Sequence, residues 1–446
     1  MTRRPVLHPC LLLLALGALS LWGGGCSSPE RLGSNAAKPY LWESLPHHPQ
    51  LAWHRHRADS AALYVRIPAF EPLHLREGAN APFQFSMDIE LLVEPTEWPN
   101  AQDGEPPATM LHRFRWKEKA DPDRTELVQR FVFPMPIGRY RIVHTVRDRN
   151  RGSDVTGVTL FDGWGQDAPV RNLAVNLDTG EPVWEHTIPA GANGAWLIPA
   201  DRMALALDHD HLHPVDSFPS APFLDRAKVP FLFPDSTRAE RPRRISGTPS
   251  GLPQGDWSGW GVMEWKANAG THRWTPQGEN RPWIVAARRP HFPMMRDVDE
   301  LVRATRYIAT RQEYKTMRDA RDPKRALDDF WLGLSEGPQG ARQLISTYYG
   351  RVRDANVHFS SMKEGWCTDR GMVYILFGHA DRIRRDRAGE TWIYGEEGDV
   401  NALVFRFTAV DRGDNFNAHE LERYPGFRSP WEAMVSTWRR GKVRKR

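Results

Sequence analysis

The hydrophobic period of this 446-residue chain changes near Asp297, from two residues to between three and four, and that change divides what it can fold into. Before it, Phe83, Phe85, Met87, Ile89 and Leu91 alternate with Gln84, Ser86, Asp88 and Glu90, the spacing of a strand with one buried face. Residues 63–67, 111–116, 127–133, 140–146 and 155–160 continue the strand pattern, with turns at Pro136-Ile137-Gly138 and 148–152. Short strands at this spacing predict an antiparallel, immunoglobulin-like β-sandwich over 61–162. Residues 163–290 carry short apolar runs (170–175, 183–188, 229–233, 261–265 and 283–287) between Pro/Gly-rich loops, of which 236–257 is basic. They predict a second β-rich domain with long loops. Trp257, Trp260, Trp265, Trp274 and Trp283 are expected to fill its core, with sugar stacking or a protein hot spot as the exposed alternative.

After Asp297, Leu301, Val302, Thr305, Ile308 and Ala309 keep helical spacing, and 311–318 is charged and helical. Asp322 is placed to N-cap a helix with Pro323 at its first position and Ala326, Leu327, Phe330, Trp331 and Leu334 on its apolar face. A third helix over 338–359 would bury Leu344, Tyr348, Val352, Ala355 and Phe359. Strands are expected at 372–377, 390–394 and 403–410. The unit 297–438 therefore reads as α+β, helices followed by a small sheet, and the whole chain as multi-domain, mainly β plus α+β.

The N-terminus sets the expected compartment. Arg3 and Arg4 precede an apolar run, 11–22, that is shorter than the roughly 20 residues needed to span a bilayer. Residues 1–25 read as a removable signal peptide. Gly23-Gly24-Gly25-Cys26 resembles a lipobox, although Gly23 stands where leucine is usual, and the resemblance implies lipidation of Cys26. Ser27 after that cysteine implies an outer-membrane lipoprotein facing the periplasm; ordinary secretion is the alternative. Residues 26–60 read as a tether. With Cys10 removed and Cys26 lipidated, Cys367 alone remains, so no disulfide framework forms within the mature body. A net charge of +5 does not call for nucleic acid, and none is expected as a partner. The basic tail 439–446 suits anionic lipid, an acidic partner or plain solvent.

Gly365-Trp366-Cys367-Thr368-Asp369-Arg370-Gly371, followed by Met372-Val373-Tyr374-Ile375-Leu376-Phe377-Gly378, joins a glycine-bracketed polar turn to an apolar run. It resembles the signature of the GWxTD domain family of bacterial envelope proteins, matched at Gly365, Trp366, Thr368, Asp369, Arg370 and Gly371. The resemblance covers roughly 300–430, is supported by Glu313-Tyr314 and Phe330-Trp331, and departs after Gly378, where His379-Ala380 replaces a proline-rich turn. It implies an envelope protein and brings no reaction with it. Physically, Gly365 is expected to turn left-handed and end the helix, and Trp366 to bury its ring with its N–H paired. Thr368 and Asp369 would hold the turn through backbone amides, and Asp369 and Arg370 would face opposite sides of an extended segment. A rigid corner is the favoured reading; a binding surface, or Asp369 as an acid or base, are the others. Cys367 has no base at a recognisable catalytic spacing, with His358 and His379 its neighbours in sequence, and reads as inert.

In Asp208-His209-Asp210-His211-Leu212-His213, an extended chain would put His209, His211 and His213 on one face, about 6–7 Å apart. Such imidazoles suit Zn or Cu, with Asp216 or a distant residue as a further ligand; an exposed polar loop is the bland alternative. No G-x-S-x-G elbow, H-E-x-x-H helix, P-loop or dinucleotide fingerprint is present. The expected function is a lipid-anchored scaffold, adaptor or binding module engaging another envelope protein. The alternatives are a hydrolase acting on a cell-wall or glycan substrate, or a metal-binding module.

Overall fold

The computed structural model describes residues 40, 45–57, 59–98, 107–164, 168–213, 218–224, 236–238, 244–245, 251–279, 281–386, 388–396, 398–410 and 417–443. The expected signal peptide, Cys26, Asp216, the apolar run 229–233, residues 239–243 and 246–250 of the basic loop, and the end of the tail, 444–446, lie outside the described residues.

The first strands are β1 (Gln50–Arg57), β2 (Ser60–Pro68), β3 (Gln84–Glu97), β4 (Met110–Lys119), β5 (Glu126–Pro134), β6 (Arg139–Asp148) and β7 (Ser153–Asp162). They pair antiparallel as two sheets, β1-β2-β5 and β4-β3-β6-β7, an immunoglobulin-like sandwich whose fourth strand has joined the sheet of the third. Alternation in β3 sends Phe85, Met87, Ile89, Leu91 and Val93 into a core shared with Leu63, Val65 and Ile67 of β2 and Phe133 of β5. At the start of β6 the Tyr140 hydroxyl donates to the Pro136 carbonyl at 3.1 Å, a tyrosine corner that pins the turn. Two expectations are corrected. Phe83 precedes β3 and is exposed, with the Arg76 guanidinium over its ring at 5.2 Å. Strand β1 lies inside the stretch expected to be tether; its His- and Arg-rich sequence masked a strand whose His54 and Arg55 are buried.

Ten further strands follow: β8 (Leu173–Asn176), β9 (Glu181–Pro182), β10 (Thr187–Pro189), β11 (Asn193–Pro199), β12 (Leu207–Leu212), β13 (Ser236–Arg238), β14 (Arg244–Ile245), β15 (Trp260–Lys266), β16 (Gly270–Pro276) and β17 (Trp283–Arg288). They form sheets β14-β15-β11-β8-β9 and β10-β17-β16-β12-β13, antiparallel except for the parallel pair β10–β17. Trp265, Trp274 and Trp283 fill the core between them together with Trp196, with ring centroids 4.8–5.5 Å apart for the touching pairs. Trp257 and Trp260 are half-buried on the other side, beside His54.

The two sandwiches share a core. Ala52, Ala62 and Tyr64 pack with Leu173, Val175, Trp184, Ala195, Leu197 and Val262. Four sheets therefore stack with three apolar layers between them. Strand β2 feeds two of these layers, Ala61, Leu63, Val65 and Ile67 on one face and Ala62 and Tyr64 on the other. Strand β11 does the same, with Trp196 and Ile198 opposite Ala195 and Leu197. A strand buried on both faces reads as a continuous apolar run, which is why these stretches lack alternation.

The C-terminal unit comprises α1 (Val298–Ala304), α2 (Arg311–Asp319), α3 (Pro323–Gly333), α4 (Gly337–Phe359), α5 (Asp369–Phe377), β18 (Arg382–Asp386), β19 (Gly389–Tyr394), β20 (Leu403–Ala409), β21 (His419–Leu421) and α6 (Arg428–Arg439). Thr310 and Glu313 form a capping box on α2, and Asp322 accepts from the Arg325 amide with Pro323 in the first turn of α3. The four strands pair in sequence order as one antiparallel sheet. The expected strand over 372–377 is instead the body of α5. Every residue of α5 is buried, so no polar face marks a helical period, and a short apolar run does not distinguish helix from strand. Arg439, expected to begin a loose tail, ends α6 and pairs bidentately with Glu313 at 2.8 Å.

Because β11 serves two cores at once, Leu197→Ala is expected to cost about 2–5 kcal/mol. A lower urea midpoint at unchanged slope would register it.

Candidate functional site

Helix α5 begins where Thr368 closes a 3-10 turn, Gly365–Cys367. The Thr368 hydroxyl donates to the Gly365 carbonyl at 2.7 Å and accepts from the Gly371 amide at 3.0 Å. Gly365 is not left-handed, contrary to expectation: α4 ends at Phe359, Ser360 runs on extended, and its hydroxyl accepts from the Gly365 amide at 2.8 Å. The glycines are required for close approach instead. A Cβ on Gly365 would lie 1.8 Å from the Ala355 carbonyl oxygen, and one on Gly371 1.9 Å from the Gly365 carbonyl oxygen. Trp366 is buried, as expected; its ring N–H donates to Glu364 at 2.7 Å, and its carbonyl accepts from the Tyr307 hydroxyl at 2.6 Å. Cys367 is buried.

Asp369 and Arg370 sit on the first turn of α5 rather than on an extended segment, yet they still meet different partners. Asp369 accepts from the Leu421 amide at 2.8 Å and from Arg423 at 2.7 and 3.2 Å, tying the helix to the last strand. Arg370, 2% exposed, donates to the carbonyl and side-chain oxygens of Asn417, lies 3.3 Å from Glu390 and sits over the Phe359 ring at 5.1 Å. Glu390 also accepts from Tyr40 at 2.6 Å, Arg385 at 3.1 Å and the Trp392 ring N–H at 2.9 Å. Burial alone would raise its pKa, but Arg370, Arg385 and these hydrogen bonds outweigh burial and hold it below the ordinary value. Tyr40, Glu390, Asn417 and Arg423 were not singled out from sequence: each lies outside the motif, with no local pattern that links it to the signature. The structure brings Gly365, Trp366, Thr368, Asp369, Arg370 and Gly371 together as an internal clasp.

Asn417 connects the clasp to open space. Its side chain donates to the His358 and Ser360 carbonyls at 2.9 and 3.1 Å, and it lines a cleft of about 880 Å³. Arg66 and Glu126 of the first sandwich, Glu181, Trp184, Glu185 and His186 of the second, and Arg353 and Asn356 of α4 line the rest. Among the described residues, the non-glycine residues with left-handed φ are Glu185 (49°), His186 (57°) and Asn417 (57°), and all of them border this cleft. Such backbone costs about 1–2 kcal/mol per residue and concentrates at ligand sites.

The histidines form a column. His209 is buried and stacks on Trp274 at 4.5 Å and 6°; its ring nitrogen lies 3.0 Å from that of His272, and His272 reaches the Asn268 carbonyl at 2.9 Å. His211 stacks on His272 at 4.7 Å with a nitrogen 2.9 Å from the Ala269 carbonyl, while His213 is exposed. Ring nitrogens thus face each other and backbone carbonyls. Among the described residues, no group of three or more His, Cys, Asp or Glu side chains is arranged to hold a metal ion. Strand pairing of β12 with β16 brings in His272, whose distance in sequence hid it.

A buried helix, capped by threonine and clasped by two arginines to a small antiparallel sheet, defines the C-terminal unit as a distinct α+β domain type. Residues 275–440 match the family model of the GWxTD domain, and this part of the chain is a domain of that family. No curated protein matches the chain.

Burial pushes His54 and His358 down to about 3 and His144, His209 and His272 down to about 4. The native state refuses protons that the unfolded chain takes up below about 6.5, so stability is expected to fall as pH drops from 6.5 towards 4. Each histidine contributes up to about 1.4 kcal/mol per pH unit, and urea titrations of His209→Gln across that window should show a shallower fall. Asp369→Ala leaves Arg423 buried without its carboxylate and is expected to cost about 3–5 kcal/mol by equilibrium unfolding.

Proposed function

We propose that the protein is an envelope adaptor: a lipid at Cys26 anchors it, and the cleft between its stacked β-sandwiches and the GWxTD domain receives a partner. The observation that carries this reading is the disposition of the signature. Its polar side chains are committed to internal contacts, while Asn417, which holds Arg370, faces a cleft walled by all three units. Clefts of this size at domain junctions are the usual place for ligands. Export and lipidation at Cys26 rest on Arg3, Arg4, the run 11–22 and the lipobox resemblance. Cys26→Ala is expected to release the protein from the membrane fraction. A photo-cross-linking residue at Glu185, on the cleft, should trap an envelope protein in intact cells, whereas one at exposed Leu160 on β7 should not. Equal labelling from both positions, or none from Glu185, would remove the cleft from the function.

One observation favours a second reading, a hydrolase acting on cell-wall glycan. Glu126 lines the cleft, and burial, reinforced by Glu181 and Glu71 and opposed by Arg66, keeps its carboxyl above the ordinary value, as a general acid requires. On that reading Glu126→Gln should slow release of reducing ends from cell-wall glycan by about 10²–10⁴-fold. Absence of turnover by the wild type leaves the adaptor alone.

A further inference from the structure

Tyr40 lies 350 residues from its hydrogen-bond partner and belongs to none of the chain's helices or strands, yet it is buried in the GWxTD domain. Phe359, His358 and Trp392 wall its ring at centroid distances of 4.7, 5.2 and 5.7 Å, and the Arg385 guanidinium covers it at 4.7 Å. Its hydroxyl donates to Glu390 at 2.6 Å, and its carbonyl accepts from the Tyr374 hydroxyl of α5 at 3.0 Å. Aromatic walls, a cation over one face and an ionised acceptor at the end select a phenol. Phenylalanine would fill the walls but leave Glu390 one donor short, and a shorter polar side chain would not reach.

A short way along the chain the contacts change unit. His47 is buried with a ring nitrogen 2.8 Å from the Val146 carbonyl of β6, and the His48 backbone amide donates to Glu71 at 2.6 Å. The step from Tyr40 to His47 can bridge at most about 25 Å of extended chain. One end is fixed to the GWxTD domain and the other to the first sandwich.

We propose that the pocket closed by Glu390 is a phenol-binding site of the GWxTD domain, and that Tyr40 is its removable key, the end of a strap that clips this domain to the first sandwich. The site takes a tyrosyl side chain, here the chain's own. Arg370 of the signature lies on the same Glu390 oxygen, so the strap and the signature share one carboxylate.

The test uses the full-length chain carrying Tyr40→Ala and a peptide of its own sequence, Ala37-Lys38-Pro39-Tyr40-Leu41-Trp42-Glu43. Calorimetry should show the peptide binding the variant and not the wild type. The same peptide with phenylalanine at the tyrosine position should bind about ten- to a hundred-fold more weakly, the worth of a hydrogen bond to a charged group. No binding to a variant with native circular dichroism overturns the proposal, as does equal binding to the wild type. Should Tyr40→Ala not fold, Tyr40→Phe answers the question. Chymotrypsin accepts either ring but must take it out of the pocket, so cleavage after position 40 should be at least about tenfold faster in Tyr40→Phe. Equal cleavage rates would overturn the key.

Discussion

Everything in the β-rich half depends on apolar surface that has two claimants. The strands β2 and β11 each present one face to their own sandwich and the other to the layer between the sandwiches. Removing roughly 25 cal/mol per Å² of apolar area from water is a non-directional gain, so a second buried face adds stability without a new type of contact. It also removes the hinge that tandem sandwiches ordinarily have. Tyr64 and Leu197 meet in the shared layer, so the two sandwiches hold one orientation, and the cleft, whose walls come from both, keeps its shape.

Parts of this were legible in the sequence for reasons that can be named. The alternation in β3 survives because one face of its sheet stays wet. The caps on α2 and α3 were readable because Thr310–Glu313 and Asp322–Pro323 are local devices that act within one turn. What failed was non-local. Residues 372–377 look like a strand because α5 is buried all round. The strand β1 was lost because its polar side chains find buried partners that only the fold supplies: Arg55 donates to the Met135 and Pro136 carbonyls. The candidate site divides in the same way. Its signature stood out as a motif, but the residues that explain it, Glu390, Asn417 and Arg423, are dispersed polar residues with no local pattern to tie them to it.

The chemistry of the signature is that of buried charge. Asp369 and Arg370 are adjacent in sequence, opposite in sign and both buried, yet they do not neutralise each other. Asp369 is matched to Arg423, just past the last strand, and Arg370 to Glu390 on β19. Buried ion pairs seldom add net stability over an apolar packing, because desolvation offsets the attraction, but they penalise every arrangement that separates them. A helix apolar on all sides could slide or rotate against its neighbours at little cost. The two pairs fix its register on the sheet, and the glycines at 365 and 371 let the preceding turn pack directly against α4 and against the first turn of α5.

The contact between Tyr40 and Glu390 also imposes an order on synthesis. A ribosome adds about 5–20 residues each second. The 350 residues separating the pair therefore take about 20–70 s to follow Tyr40 out. Through that interval the aromatic ring has no native place to go, although the first sandwich, built from nearby strands, can already close. Tyr40 is thus among the last residues to settle. Its docking marks the moment at which the polypeptide has been made far enough for its C-terminal sheet to exist.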